Sequence, residues 1–247
     1  MTSLQDRVAI VTGGAQGIGR HIAGKLHAEG ATVVIADMQA AHEVAEALGG
    51  LAVEVDVSDP AACERMSAAA IDAYGRIDIL VNNAGIYTSL VPTPFEQLDV
   101  AEWKRVFDVN VLGMYLATRA VTPHMRAAGY GRIINMASGT PFKGVPFLLH
   151  YVSSKGAVVA MTKALAKELG GDNILVNTVA PGFTMSDGVL ANEAQIEKLR
   201  EVSVNARVLA RDQYPEDIVG AVAFFAGDGA AFITGQSLLV DGGAYFN

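Results

Sequence analysis

The chain has 247 residues, of which 51% are apolar and 18% charged, and its formal net charge is −8. This composition allows a sizeable core, and the negative charge argues against nucleic acid or an anionic membrane surface as a partner. No apolar run reaches the roughly 18 residues that span a bilayer, and residues 1–7 lack the apolar core of a signal peptide. We therefore expect a cytoplasmic protein.

Short apolar runs alternate with longer helical patterns along the whole chain. The runs predict strands that are apolar throughout, as a sheet covered on both faces requires, at residues 8–11, 32–36, 51–55, 77–81, 132–136, 174–179 and 237–240. The helical patterns cover residues 18–29, 40–48, 60–74, 95–128, 150–169, 193–201 and 214–225, and Pro123 is expected to bend its helix or to mark the last turns. The predicted fold is α/β, because strands and helices in alternation form βαβ units. We expect a single Rossmann-like domain over residues 1–247, with a doubly wound parallel sheet of about seven strands and helices on both faces.

The turn after the first strand is rich in glycine, with Gly13, Gly17 and Gly19 in the pattern G-x-x-x-G-x-G. Alone, such a turn could be an ordinary loop. Here it opens a helix, whose free N–H groups and partial positive charge favour an anion, and this strand–turn–helix setting is typical of dinucleotide sites. The turn is therefore predicted to hold a dinucleotide pyrophosphate, with Gln16 and Ile18 also in contact.

Asp37 ends the second predicted strand. A carboxylate at this place accepts hydrogen bonds from an adenosine ribose and repels a 2′-phosphate. Neither residues 14–16 nor Met38 and Gln39 supply a cation that would attract that phosphate. We therefore predict NAD rather than NADP, with Asp37 and Met38 at its adenosine end. The alternative is that Asp37 only caps the turn after its strand.

Tyr151 and Lys155 lie four residues apart on a predicted helix, so that they share a face, and Ser138 precedes them in the chain. An ordinary phenol has a pKa of about 10 and is a poor base at neutral pH. A nearby ammonium favours the phenolate and lowers the pKa of the phenol toward the working pH. The pattern therefore predicts a tyrosine acid/base supported by a lysine.

Together with these residues, several short motifs resemble the short-chain dehydrogenase/reductase family over nearly the whole chain. They are Thr12-Gly13-x3-Gly17-x-Gly19, Asp56-Val57, Asn82-Asn83-Ala84-Gly85, Asn110, Ser138, Tyr151-x3-Lys155, Pro181-Gly182, Ile233-Thr234-Gly235-Gln236 and Val240-Asp241-Gly242-Gly243. The resemblance implies an NAD-dependent enzyme that interconverts CH–OH groups and ketones by hydride transfer.

The resemblance also implies roles for individual residues. Tyr151 would exchange the proton at the substrate oxygen, and Ser138 would stabilise charge on that oxygen. Lys155 would bind the nicotinamide ribose, and Asn110 would hold a water that links Lys155 to solvent, unless Asn110 is an ordinary buried polar group. Further cofactor contacts would be Asp56, Val57, Asn83, Ala84, Gly85, Pro181, Gly182, Thr184 and Ser186, together with Tyr151 and Lys155.

The chain departs from the family at the nicotinamide end of the cofactor. Family members often carry an aliphatic residue and then a threonine after the Pro-Gly pair. Here Thr184 occupies the aliphatic place and Ser186 the threonine place. A hydroxyl is kept, so that anchoring of the nicotinamide carboxamide is expected to survive.

The segment between Ser138 and Tyr151 is mostly apolar, with one lysine, and is expected to flank the substrate. The predicted pocket residues are Thr140, Phe142, Val145, Phe147 and Phe183, and residues 185–211 would form a lid. A largely apolar pocket disfavours sugars and acids, whose polar groups would lack partners. We expect a neutral, apolar secondary alcohol and its ketone, with aromatic and alicyclic compounds as candidates.

Two other functions fit the motifs. One is a 3-oxoacyl-thioester reductase of the same family, although such reductases usually prefer NADPH. The other is a non-catalytic sensor that only binds a dinucleotide.

Other singled-out side chains favour structural roles. His150 is interpreted as a helix-start residue rather than a substrate contact, and Trp103 as a packing residue. Cys63 has no second cysteine with which to pair, and the histidines have no metal-ligand spacing. We therefore expect neither a disulfide nor a metal.

The charged fraction is below the usual quarter, which indicates that some outer faces are buried between subunits. The predicted helix at residues 150–169 is apolar over most of its circumference. The family's habit of pairing subunits through this helix and the long one before it fits this pattern. We expect a homo-oligomer, specifically a tetramer.

Overall fold

The computed structural model describes residues 4–246, apart from the side chains of residues 194, 195, 197 and 198. Its centre is one sheet of seven parallel strands in the order β3-β2-β1-β4-β5-β6-β7. The strands are β1 Val8–Thr12, β2 Thr32–Asp37, β3 Leu51–Glu54, β4 Ile79–Asn82, β5 Gly131–Met136, β6 Ile174–Pro181 and β7 Ser237–Val240. The predicted parallel α/β sheet is confirmed.

Helices cover both faces of this sheet. They are α1 Gly17–Ala28, α2 His42–Ala47, α3 Pro60–Tyr74, α4 Val100–Phe107, α5 Gly113–Ala128, α6 Thr140–Lys143, α7 Leu149–Leu169, α8 Asp187–Leu190, α9 Glu193–Asn205 and α10 Glu216–Ala226. Within residues 4–246, none of the helices combines the length and the apolar character that crossing a membrane requires.

Successive residues of one strand belong to two different cores. In β1, Ala9 and Val11 pack with apolar residues of α1 and α10, whereas Val8 and Ile10 pack with those of α3 and α5. Burial of each branched side chain stabilises the folded state by roughly 1.5–3 kcal/mol relative to leaving it exposed to water. Burial on both faces is the reason why the strands are apolar throughout instead of alternating.

The order of the strands reverses between β1 and β4. The chain first builds β1, β2 and β3 toward one edge and then returns to build β4 to β7 toward the other. At such a switch point the connections leave the carboxyl ends of the two central strands in opposite directions, and a crevice remains between them. Open parallel sheets bind their ligands in this crevice.

The prediction of one helix over residues 95–128 is wrong. A 3₁₀ turn (Phe95–Gln97) precedes α4, and a π-helical turn (Asp108–Leu112) separates α4 from α5. Asp99 begins α4, because its side chain accepts a hydrogen bond from the Ala101 amide at 3.0 Å. A π turn inserts an extra residue that apolar spacing does not reveal, and such turns are frequent at functional sites.

The turn between β1 and α1 is packed tightly against the loop after β4. Gly13 has a left-handed backbone (φ +63°), and a Cβ there would lie 2.8 Å from the Cα of Ala84. A Cβ on Gly19 would overlap the Gly13 carbonyl oxygen and lie 2.5 Å from the Asn83 side-chain nitrogen. Asn83 donates from Nδ2 to the carbonyl oxygens of Thr12 (3.0 Å) and Gly13 (2.9 Å). The turn therefore has no room for a side chain at Gly19.

We expect Gly19→Ala to destabilise the fold by about 1–3 kcal/mol, because its methyl group overlaps a backbone carbonyl in a packed turn. Gly24→Ala is the matched control on the same helix, since nothing lies within 4 Å of its Cβ position. Because alanine has a higher helix propensity than glycine, Gly24→Ala is expected to raise the free energy of unfolding by up to about 1 kcal/mol. Urea unfolding followed by circular dichroism compares the two, and equal stability would contradict the tight packing of the turn.

Candidate active site

A cleft of about 990 Å³ follows the carboxyl edge of the sheet at the switch point. It brings together residues from distant parts of the sequence. All the residues predicted to bind the cofactor line it: Gly13, Gln16, Gly17, Ile18, Gly19, Asp37, Met38, Asp56, Val57, Asn83, Ala84, Gly85, Tyr151, Lys155, Pro181, Gly182, Thr184 and Ser186.

The acidic residues at one end of the cleft already bind groups of the protein. Asp37 accepts hydrogen bonds from the amides of Ala15 (3.0 Å) and Gln39 (2.9 Å). Asp56 accepts from the amide (2.9 Å) and the hydroxyl (2.7 Å) of Ser58. Asp37 therefore caps the turn, as one alternative predicted, and it also lines the cleft, while its contact with a ribose stays a prediction. Its carboxylate oxygens have further lone pairs for ribose hydroxyls.

The N-terminus of α1 holds a carboxylate. Asp187 accepts hydrogen bonds at one oxygen from the Gly17 amide (3.2 Å) and from the Arg20 guanidinium (3.1 Å). Helix N-termini favour anions because their amides are free and the dipole is positive there. The carboxylate shows that an oxygen anion fits this place, which is the chemistry that a pyrophosphate group requires.

Residues 185–211 contain α8 and α9 and close one side of the cleft. Asn192 donates to the carbonyl oxygen of Thr88 at 2.8 Å, which ties the segment to the loop after β4. Arg207 donates to the carbonyl oxygens of Phe183 (2.6 Å) and Arg211 (2.7 Å). The segment predicted as a lid is therefore fastened at its start, middle and end, with Asp187 as the first attachment.

Ser138, Tyr151 and Lys155 meet in the cleft. Ser138 follows β5, whereas Tyr151 and Lys155 lie one turn apart on α7. The Ser138 side chain lies close enough to the Tyr151 phenol to lower its pKa, and its hydroxyl accepts from the Thr140 amide at 3.2 Å. Lys155 Nζ donates to the carbonyl oxygen of Met136 (2.8 Å) and lies 5.9 Å from the centre of the Tyr151 ring.

Burial controls the titration of these groups. Burial raises the pKa of Tyr151 to about 12, and the Ser138 side chain opposes this rise only in part. Burial likewise lowers the pKa of Lys155 to about 8. The expectation that Lys155 brings the pKa of the phenol toward neutrality is therefore wrong for the protein by itself. Tyr151 is a protonated donor at neutral pH.

Asn110 lies behind the wall of the cleft and is completely buried. Its Oδ1 accepts from the amide of Ile86 (2.7 Å), and its Nδ2 donates to the Ile86 carbonyl oxygen (3.2 Å) and the Ser154 hydroxyl (3.1 Å). Ser154 in turn donates to the carbonyl oxygen of Tyr151 at 2.7 Å. Asn110 thus joins the loop after β4 to the helix that carries Tyr151, and its role in a water relay stays a prediction.

The substrate end of the cleft contains part of the predicted set. Thr140, Val145 and Phe183 line it, but Phe142 and Phe147 do not. Residues 140–143 form a helical turn, so that Phe142 points away from Thr140 and packs into the core. Phe147 has a left-handed backbone (φ +64°) and is 55% exposed. Both phenylalanines are therefore wrong as pocket residues.

Tyr87, Leu148 and Val189 also line this end and are absent from the predicted set. Tyr87 follows the predicted cofactor contacts at residues 83–85 almost directly, and this position is a signal that could have identified it. Leu148 lies in the segment expected to flank the substrate. Val189 lies in the segment predicted as a lid (residues 185–211), but nothing in the sequence distinguishes it there, and the packing of α8 brings it to the cleft.

The remaining singled-out residues contact other parts of the protein. The Trp103 ring stacks on Phe107, with 5.4 Å between ring centres. His150 is fully buried, and its Nε2 lies 3.6 Å from the Glu102 carboxylate, so that it faces α4. Cys63 is a free, buried thiol. Among the side chains that the structure describes, no three of His, Cys, Asp or Glu are grouped so that they could hold a metal ion.

Comparisons with known proteins match almost the whole chain. The family model described as enoyl-(acyl carrier protein) reductase matches residues 13–245. The 3-oxoacyl-[acyl-carrier-protein] reductase of Synechocystis sp. is 36% identical over 98% of both chains. The meso-2,3-butanediol dehydrogenase of Serratia marcescens is 34% identical over 97% of this chain and 94% of its own.

A solved structure is equally similar. The crystal structure of 3-ketoacyl-(acyl-carrier-protein) reductase from Brucella melitensis complexed with NADH superposes with a TM-score of 0.92 and 35% identity, over 99% of this chain and 100% of its own. Sheet order, glycine turn and the Ser138, Tyr151 and Lys155 cluster agree with this likeness. The chain belongs to the short-chain dehydrogenase/reductase family and is an oxidoreductase that acts on CH–OH groups with a nicotinamide dinucleotide.

Proposed function

We propose that the protein interconverts a neutral, apolar secondary alcohol and its ketone, with NAD(H) as the cofactor. The observation that carries this proposal is the position of Tyr151 beside Ser138 in the dinucleotide cleft, next to apolar walls. Val145, Leu148 and Phe183 supply apolar walls there. Such walls disfavour sugars and acids, because buried hydroxyls and carboxylates would lack partners.

The residues of the cleft fit a dinucleotide. Asp37 would accept hydrogen bonds from the adenosine ribose, the amides at residues 17–19 would bind the pyrophosphate, Lys155 would bind the nicotinamide ribose, and Ser186 would anchor the carboxamide. When bound, the nicotinamide exchanges the hydride with the carbinol carbon and, in its oxidised form, adds positive charge near Tyr151.

Tyr151 would handle the proton at the substrate oxygen. In ketone reduction its protonated phenol, which the raised pKa favours, donates to the carbonyl oxygen as negative charge develops there. Ser138 donates a second hydrogen bond to the same oxygen. In alcohol oxidation the phenolate takes the alcohol proton, and the positive charge of Lys155 stabilises that phenolate.

Tyr151→Phe is expected to lower kcat by about 10²–10⁴-fold, because it removes the proton donor while keeping the ring. NADH affinity, measured by fluorescence titration, should not fall in parallel. Tyr214→Phe, at an exposed phenol just before α10 and outside the cleft, is the matched control and should keep its turnover. A wild-type protein that binds NADH but turns over no alcohol or ketone would instead support the sensor alternative.

The preference for NAD(H) is supported by the charges at the adenosine end. Asp37 lines the cleft there, and its neighbours Met38, Gln39 and Ser58 are uncharged. A 2′-phosphate would face the carboxylate without a cation to offset the repulsion. The relative from Brucella melitensis, whose structure contains NADH, agrees with this preference.

Wild-type kcat/KM should be higher with NADH than with NADPH, and Asp37→Asn should reduce this preference at least about tenfold. A free-energy difference of about 1.4 kcal/mol corresponds to a tenfold change in kcat/KM. The repulsion between a carboxylate and a phosphate near a protein surface is larger than this. Asp59→Asn is the matched control, because the Asp59 carboxylate also accepts from a backbone amide (Ala61, 2.9 Å) but lies outside the cleft. A wild-type preference for NADPH would refute the assignment.

One set of observations favours a second function, the reduction of a 3-oxoacyl thioester. Two of the relatives carry names of this kind. Lys104 and Arg105 are exposed on the rim of the cleft, where the phosphate of a carrier arm would meet them. Asp37 weighs against this function only in part: such reductases usually prefer NADPH, but the structure of the Brucella melitensis reductase contains NADH.

We also propose that the protein is a homotetramer. A subunit interface on α5 and α7 is supported by exposed large side chains, Tyr115 on α5 and Leu149 on α7, and by the small exposed Ala160 on α7. Burial of such a surface between subunits removes apolar area from water.

Light scattering at micromolar concentration should give four times the chain mass of 25.8 kDa. Ala160→Arg should lower this mass, because it places a charge where α7 would pack closely against a second subunit. Ala73→Arg, at an exposed alanine on α3, is the control and should leave the mass unchanged. A monomeric wild-type mass would contradict the proposal.

A further inference from the structure

The ring of Tyr87 packs beside the reacting phenol. Its centre lies 4.8 Å from that of Tyr151, and the two ring planes meet at 41°. Tyr87 lines the cleft and packs against a buried apolar cluster that includes Leu90, Val106 and Leu148. The substrate side of Tyr151 therefore has an aromatic surface next to it.

The position of this aromatic ring is set by a buried amide. Ile86, the residue before Tyr87, exchanges two hydrogen bonds with the Asn110 side chain (2.7 and 3.2 Å). Asn110 also binds Ser154, whose hydroxyl donates to the carbonyl oxygen of Tyr151. The loop of Tyr87 and the helix of Tyr151 are thus held by the same side chain, and the distance between the two rings is preorganised.

The surroundings of Tyr87 favour a flat apolar group in the substrate. Val145 packs against the same buried cluster as Tyr87, and Phe183 and Val189 also line the cleft. A planar group on the carbinol carbon would contact the Tyr87 ring while the substrate oxygen reaches Tyr151. Aromatic pairs gain energy beyond that of area burial, which corresponds to about two- to tenfold in kcat/KM. A flexible alkyl chain gains no such contact and loses rotamer freedom on binding.

We propose that Tyr87 determines substrate specificity by holding an aryl group of the substrate against its ring. The preferred substrates are then 1-arylalkanols and aryl ketones. This inference rests on the proposed function, because it assumes that the cleft accepts a secondary alcohol or ketone, and it adds the residue that selects among them.

The test compares two ketones with equal numbers of carbon atoms, acetophenone and 2-octanone, with NADH as the reductant. Wild type should show the higher kcat/KM with acetophenone. Tyr87→Leu should lower the acetophenone/2-octanone ratio of kcat/KM by about two- to tenfold, with most of the loss in KM, because the aryl contact exists before and during the reaction. Tyr87→Phe keeps the aromatic ring and should have the same acetophenone/2-octanone ratio of kcat/KM as wild type.

Controls separate specificity from folding. NADH affinity by fluorescence titration and the thermal midpoint identify variants that fold as wild type does. Tyr87→Val is the second non-aromatic variant and should lower the ratio in the same way if the leucine variant does not fold.

Different failures are distinguishable. An unchanged ratio in the non-aromatic variants, or an equal fall in Tyr87→Phe, overturns the role of the Tyr87 ring and leaves the proposed function standing. A wild-type enzyme that reduces neither ketone but reduces acetoacetyl-coenzyme A overturns both proposals and supports the thioester reductase.

Discussion

Burial of both faces of the parallel sheet confines the polar chemistry of this protein to the ends of its strands. Inside the sheet, a buried polar side chain needs partners within the protein. Asn135 of β5, for example, accepts from Asn82 (2.9 Å) and donates to Thr162 (2.9 Å). At the carboxyl ends, by contrast, Asp37 and Ser138 face an open cleft. The geometry of the sheet thus decides where cofactor and substrate can be bound.

The same burial shapes the chemistry of the site. A phenol and an ammonium in a dry pocket both shift toward their neutral forms, as the raised pKa of Tyr151 and the lowered pKa of Lys155 show. Charge that arrives with a ligand is weakly screened in such surroundings and has a large effect on protonation. The protein therefore supplies a positioned proton donor, and the ligands themselves determine when it ionises.

The sequence predicted the sheet and the cofactor cleft because their signals are local: apolar runs, a glycine turn and acidic strand ends. The features that the sequence did not predict depend on tertiary packing. The π turn that carries Asn110 inward has no signature in apolar spacing, and a single helical turn after Ser138 sends Phe142 into the core. Tyr87 lines the pocket only because its loop is fixed from another helix. The direction of such side chains depends on these contacts, so that a position in the chain, as for Tyr87 just after residues 83–85, suggests a place near the site but not which way the side chain points.

The bond between Asp187 and the first turn of α1 has a consequence for the sequence of ligand entry. The carboxylate occupies an amide that an incoming phosphate requires, and it belongs to the segment that covers the substrate pocket. A dinucleotide bound as we propose would replace one anion by another at this amide. Asp187 and the phosphate would then compete for the same donor, so that the attachment of the cover and the occupancy of the pyrophosphate site are coupled.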